Sequence, residues 1–179
     1  MTRSQIGVAF GMLSALALTL GLVWWITADT PGLVLPVDQI TLSQRLWFAV
    51  MTWVGPLVVL TCCIGAVANT RFFSREDIDG AGLTVESPRI QVRRAVLTNT
   101  HEQLTLALPV YTGLALTLPV DRLALPLILS AAFVIGRILF ALGYRAGATA
   151  RSFGFALTMY PTVGGLVVLI WRLASVVKR

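Results

Sequence analysis

Two side chains of opposite charge, Glu102 and Arg137, interrupt stretches of sequence that are otherwise almost free of charge. A charge inside an apolar span costs roughly 2.5–3.5 kcal/mol on insertion scales, so such residues mark a functional site by default. A carboxylate and a guanidinium at the same depth can pair and offset part of that cost. A cation held there can instead bind an anionic polar molecule next to lipid-dissolved substrates. The two residues therefore point either to ligand chemistry or to an internal ion pair.

Polar and aromatic neighbours extend this pattern along the chain. Asn99 lies three residues before Glu102, so the two share one face of a helix. Tyr144 lies seven residues after Arg137, on the same helical stripe, and Arg151 follows seven residues later. These spacings predict a cation-rich pocket about one third of the way into a bilayer. The alternative is an ion pair that only fixes the fold, with Asn99 joining two helices.

The composition requires a membrane around these residues. Of 179 residues, 12% are charged and 56% are hydrophobic, and the mean hydropathy is +0.82. Soluble domains carry about 25% charged residues, so a soluble enzyme, a disordered chain and a disulfide-rich secreted module are all excluded. The basic residues punctuate apolar segments, which argues against nucleic acid as a partner. The adjacent Cys62 and Cys63 lack metal-ligand spacing, and we expect no metal site.

Five charge-poor stretches are long enough to cross a bilayer, which takes roughly 20 residues. We predict spans over residues 6–28, 46–69, 94–118, 123–144 and 152–171. The first stretch is longer than the apolar region of a signal peptide, which favours a retained helix. The predicted protein is an all-α integral membrane protein, with an N-terminal helix over residues 1–28, an exposed loop over 29–45 and a helical bundle over 46–179.

The distribution of arginine and lysine predicts how these spans are oriented. Eight lie on one side of the membrane, namely Arg3, Arg71, Arg75, Arg89, Arg93, Arg94, Arg145 and Arg151, and five lie on the other, namely Arg45, Arg122, Arg172, Lys178 and Arg179. The side richer in positive charge is normally cytoplasmic. We therefore expect a cytoplasmic N-terminus and a periplasmic C-terminus.

One group of motifs resembles a known family. Arg94-Ala95 and Asn99-Thr100-His101-Glu102-Gln103, followed by Arg137, Gly143-Tyr144 and Arg151, are similar to the MAPEG superfamily of membrane-associated proteins in eicosanoid and glutathione metabolism. The resemblance covers residues 46–171. It implies a MAPEG-like four-helix bundle in the bacterial inner membrane, to which the first helix is an addition. It also implies a homotrimer that binds glutathione between neighbouring subunits.

The resemblance further assigns roles to individual residues. It implies that Asn99, Glu102, Arg137, Tyr144 and Arg94 bind glutathione and that Arg151 stabilises its thiolate. The implied activity is a glutathione transferase or peroxidase that acts on hydrophobic, lipid-dissolved electrophiles. Two positions depart from the glutathione enzymes: Ala95 replaces an arginine, with Arg94 one residue early, and Phe140 replaces a phenol.

Other functions stay open at this stage. Some relatives are non-enzymatic, so the alternative is a lipid-binding or scaffold protein of the same fold. A small transporter is disfavoured, because the sequence contains no internal repeat.

Overall fold

Helices dominate the part of the chain that the structure describes. The computed structural model describes residues 2–27, 40–80 and 82–177. In these ranges the long helices are α1 (Arg3–Thr27), α2 (Leu42–Phe72), α3 (Pro88–Thr117), α4 (Ala124–Gly143) and α5 (Ala148–Val177). Short 3₁₀ turns, Val120–Arg122 and Tyr144–Ala146, join α3 to α4 and α4 to α5. The predicted all-α fold with five long helices is confirmed.

Length and hydropathy identify most of these helices as membrane spans. Within the described ranges, α1, α2, α4 and α5 are each long and apolar enough to cross a bilayer. α3 is as long, at 30 residues, but its charged and amide side chains lower its hydropathy. It packs against α2, α4 and α5, so it runs through the bilayer beside them. The chain is an integral, multi-pass membrane protein, and the side on which each terminus lies stays a prediction.

Four of the five long helices begin three to six residues earlier than the predicted spans, and N-caps account for two of these starts. α2 starts at Leu42 because Thr41 caps it: the Thr41 hydroxyl accepts the Gln44 N–H, and the Gln44 side chain accepts the Thr41 N–H. α3 starts at Pro88, where Ser87 is the N-cap and proline suits the first helical position. The loop that was predicted over residues 29–45 therefore ends at Thr41, because α2 begins at Leu42. Residues 29–39 of that loop, residue 28 at the end of the predicted first helix, and residues 178–179 lie outside the described residues.

A buried carboxylate anchors the loop between α2 and α3. Asp77 is only 2% exposed and accepts three hydrogen bonds of 2.8 Å, from the Ser87 N–H and from the hydroxyls of Ser74 and Ser87. These donors, the Ser87 N–H foremost, hold the pKa of Asp77 below its usual range. The ionised carboxylate thereby fixes the position at which α3 begins.

The additional helix α1 packs along α5 through small side chains. Gly7, Gly11, Ala15 and Thr19 recur every fourth residue, and the last three of them are buried. A Cβ atom at Gly7 would overlap the side chain of Thr149 on α5. Small residues at this spacing let two membrane helices approach closely. α1 is therefore packed onto the bundle along most of its length.

The contact between α4 and α5 sets the position of the charged residues. Their connection turns at Gly147, whose φ of 106° is unfavourable for other residues. A Cβ atom at Gly154 on α5 would overlap the backbone of Phe140 and the carbonyl of Gly136 on α4. The two backbones therefore touch beside Arg137, which follows Gly136 directly in the sequence.

Gly154→Ala should force α4 and α5 apart and lower the free energy of unfolding by about 1–3 kcal/mol, the usual cost of overpacking. Thermal unfolding of the detergent-solubilised protein measures the effect. Gly65→Ala on α2 is the control, because a Cβ atom there meets nothing within 4 Å. Equal Tm values for the two variants would contradict the close α4–α5 contact.

Candidate functional site

Arg137 is the centre of the polar cluster inside the bundle. Its side chain is 1% exposed, and its guanidinium reaches from α4 to both α3 and α5. One terminal nitrogen donates to the Asn99 side-chain oxygen at 2.7 Å. The other donates to the Thr158 hydroxyl at 2.8 Å and lies 3.5 Å from the Gly154 carbonyl. Because arginine stays protonated even when buried, these neutral acceptors hold a full positive charge inside the protein.

Two residues of this cluster, Gln103 and Thr158, were not predicted from the sequence to belong to the site. Gln103 is 5% exposed, and its side-chain oxygen is hydrogen-bonded to the Thr158 hydroxyl. Gln103 lies four residues after Asn99, so helical spacing could have placed it on the same face. Thr158 carries no comparable signal, because a threonine in an apolar span usually bonds only to its own helix. Two buried nitrogens of the cluster, Nε2 of Gln103 and Nε of Arg137, have no hydrogen-bond partner among the residues that the structure describes.

A ladder of cations and aromatic rings leads from the cluster to the end of α4. The Arg137 guanidinium lies 4.4 Å from the centre of the Phe140 ring. The Phe140 and Tyr144 rings meet edge to face at 5.4 Å, and the Arg151 guanidinium lies 4.3 Å from the Tyr144 ring. Cation–π contacts of this kind hold a guanidinium in one place. The structure thus brings Asn99, Arg137, Tyr144 and Arg151 into one continuous set of contacts.

The predicted ion pair between Glu102 and Arg137 is wrong. Glu102 is exposed, and its carboxylate forms no salt bridge or hydrogen bond with any residue that the structure describes. The buried face of α3 runs through Thr100, Gln103 and Ala107. Glu102 lies about 100° away from Gln103 around the helix, on the outer side. Arg137 is instead satisfied by amide and hydroxyl oxygens.

Arg94 is held away from this cluster by the loop before α3. Its guanidinium donates to Glu86 at 2.7 Å, and the same carboxylate binds Arg71 at 3.2 Å. Glu86 is a loop residue that lies two positions before Pro88, the first residue of α3. The structure therefore does not bring Arg94 together with the other predicted glutathione-binding residues.

Several polar groups of the site have no hydrogen-bond partner among the described residues. They are the Tyr144 hydroxyl, the Arg151 guanidinium, the Asn99 side-chain nitrogen and the Glu102 carboxylate. Together they offer donors for anionic groups and one acceptor for an ammonium. A thiol placed beside Arg151 would have a lowered pKa, because the cation stabilises the thiolate.

Comparison with known proteins agrees with this architecture. The sequence profile of the MAPEG family matches residues 46–171. The chain belongs to the MAPEG family. It is also 33% identical over 137 residues to an uncharacterized protein of Synechocystis sp. (strain PCC 6803), an alignment that covers 74% of this chain and 95% of that protein. No solved structure matches the chain significantly.

The MAPEG match covers α3, α4 and most of α2 and α5, and it includes every residue of the site. α1 precedes the matched region, so it is an addition to the MAPEG bundle. Family membership accounts for the membrane fold and leaves the chemistry to be argued from the site itself.

Thr158→Val should lower the free energy of unfolding by about 1–3 kcal/mol, because it leaves Arg137 and Gln103 without their shared partner in a buried place. Thermal unfolding measures the loss. Thr61→Val is the control, since that hydroxyl is exposed and, among the described residues, bonds only to the Leu57 carbonyl of its own helix. A loss of equal size in both variants would contradict a special role for the buried hydroxyl.

Proposed function

We propose that this MAPEG protein is a glutathione-dependent transferase or peroxidase that acts on hydrophobic electrophiles dissolved in lipid. The observation that carries the proposal is the Arg151 guanidinium, which is held over the Tyr144 ring while its N–H groups have no partner among the described residues. A thiol has an ordinary pKa near 8.5, and a fixed cation lowers it toward neutrality. Arg151 would thus keep the glutathione sulfur ionised.

The other residues of the site suit the remaining groups of the tripeptide. Glutathione carries two carboxylates and one ammonium besides its thiol. Asn99 and Tyr144 offer hydrogen-bond donors, and Arg137 supplies positive charge behind them. The exposed Glu102 carboxylate is the nearby group of opposite sign and suits the ammonium. This assignment gives each charged group of glutathione a partner of complementary chemistry.

The reaction that follows is nucleophilic. The thiolate attacks an electrophilic carbon, a C–S bond forms, and the leaving group departs with its electron pair. With a hydroperoxide, the thiolate attacks the O–O bond, which gives an alcohol and a sulfenic acid, and a second glutathione then yields the disulfide and water. Both substrates meet at the membrane, because the electrophile dissolves in the lipid that surrounds the bundle.

Arg151→Ala should lower the rate of glutathione transfer about 100-fold, as expected when one electrostatic stabiliser is removed. The rate should also rise at higher pH in the variant than in the native protein, because the thiol returns toward its ordinary pKa. Ultraviolet absorbance of the bound thiolate and the pH–rate profile measure both effects. Arg89→Ala, an exposed arginine at the start of α3, is the control.

Binding is tested separately by calorimetry with millimolar glutathione. Arg137→Ala and Glu102→Gln should each weaken binding at least tenfold, whereas Arg151→Ala should change it less. Absence of saturable binding to the native protein would overturn the proposal. It would favour the second candidate, a lipid-binding or scaffold protein without catalysis, which is supported by Phe140 in place of a phenol and by the engagement of Arg94 with Glu86.

A homotrimer is part of the same proposal, and one face of α3 supports it. Thr98, His101, Glu102 and Thr105 are all exposed in the single chain although they lie on a helix that packs within the bundle. A carboxylate facing hydrocarbon is costly, which favours a polar partner surface against this face. A second copy of the chain would cover it and close the glutathione site.

Light scattering in a mild detergent should give the mass of three chains. In a variant with both cysteines replaced by serine, Thr105→Cys should form disulfide-linked pairs under oxidation. Leu18→Cys, on the exposed face of α1, should not. A strictly monomeric protein, or cross-linking of both variants alike, would contradict the trimer.

A further inference from the structure

Arg137 also lines a cavity between α2, α3 and α4, to which Asn99, Tyr144 and Arg151 do not contribute. It is a groove of about 730 Å³, within the roughly 300–1,000 Å³ that small-molecule sites occupy. Aliphatic side chains form most of its walls, among them Val58, Val59, Val96, Val134, Ile138 and Leu142. The walls therefore suit a hydrocarbon chain.

The groove is as long as one leaflet of a bilayer is thick. Its lining on α2 runs from Gly55 to Ala66, which is about 16 Å at 1.5 Å per helical residue. The hydrocarbon core of a bilayer is about 30 Å thick, so one leaflet is about 15 Å. A single acyl chain that starts at the membrane surface would end where the groove ends.

Two arginines lie at the surface end of the groove. Arg93 is in the second turn of α3, and Arg145 is in the 3₁₀ turn that follows α4. Arg93 donates to the Ala66 carbonyl at 2.6 Å and to the Thr70 hydroxyl, so it is fixed against α2. Arg145 has no hydrogen bond or ion pair with any residue in the described ranges.

These charges are not neutralised inside the groove. No Asp or Glu lies among its described lining residues, and Arg93 and Arg145 are close enough to repel each other. An anion between them would replace that repulsion with charge-assisted hydrogen bonds. Basic pockets between membrane helices are typical sites for anionic lipid headgroups.

We propose that this groove binds one anionic phospholipid. The phosphate contacts Arg93 and Arg145, one acyl chain fills the groove, and the second chain lies on the exposed rim near Leu142. A zwitterionic lipid fits less well, because its ammonium group would lie beside two guanidiniums. Arg137 is shared with the proposed glutathione site, but the variants that test the groove leave Arg137 unchanged, so either proposal can fail without the other.

Native mass spectrometry tests whether the groove prefers an anionic headgroup. The protein is exchanged into detergent that contains one defined lipid. Phosphatidylglycerol should be retained at one molecule per chain and at lower concentration than phosphatidylcholine. Arg145→Gln should raise the phosphatidylglycerol concentration for half occupancy about fivefold, which corresponds to about 1 kcal/mol for one arginine at a lipid surface. Arg75→Gln, an exposed arginine outside the groove, should leave it unchanged.

A pair of size variants tests the location. Ala141→Phe fills the groove and should abolish retention, whereas Ala131→Phe, also exposed on α4 but outside the lining, should not. Equal retention by these two variants, or equal affinity for the two phospholipids, would overturn the proposal. So would oleic acid binding as tightly as phosphatidylglycerol, which would identify a free fatty acid as the occupant. Thermal unfolding of each variant is the check that the variant is folded.

Discussion

A guanidinium enclosed in a membrane protein needs oxygen atoms around it, and most of the polar architecture of this chain serves that need. Arg137 takes its acceptors from the two helices on either side of α4, namely Asn99 on α3 and Thr158 and Gly154 on α5. None of these acceptors is charged, so the positive charge is solvated and not neutralised. Such a charge attracts anions from a distance, because screening is weak in a low-dielectric environment.

The unneutralised charge of Arg137 links the α2–α3–α4 groove with the proposed glutathione site. Arg137 contributes to the wall of the α2–α3–α4 groove, and through Phe140 it continues into the ladder that ends at Arg151. Positive potential therefore extends to both sides of α4. Within a MAPEG bundle, this arrangement suits one polar anion and one amphiphile held close together.

Composition and span length were enough to predict the fold, because bilayer thickness sets helix length and charge marks where spans end. The helix starts at Leu42 and Pro88 were not predicted, since caps at Thr41 and Ser87 extend those helices beyond the apolar stretches. In the site, spacing placed Asn99 with Glu102 on one helix face and Tyr144 with Arg137 on another. It could not decide whether Glu102 or Gln103 faces inward, because adjacent residues differ by about 100° and the tertiary packing decides. The role of Thr158 could not be predicted for a related reason, because its hydrogen-bond partner depends on how α4 crosses α5 at Gly154.

The order in which the chain is made has a consequence for Arg137. Asn99 is synthesised before α4, but Thr158 and Gly154 belong to α5 and leave the ribosome afterwards. While α4 is entering the membrane, its guanidinium has only one of its lasting acceptors, and an arginine at a helix centre opposes insertion by roughly 2.5–3.5 kcal/mol. Gly147 is the only residue between the 3₁₀ turn at Tyr144–Ala146 and α5. The last two helices are thus suited to leave the translocon as a pair, and a nascent chain that ends before Gly154 would release α4 with its charge half-satisfied.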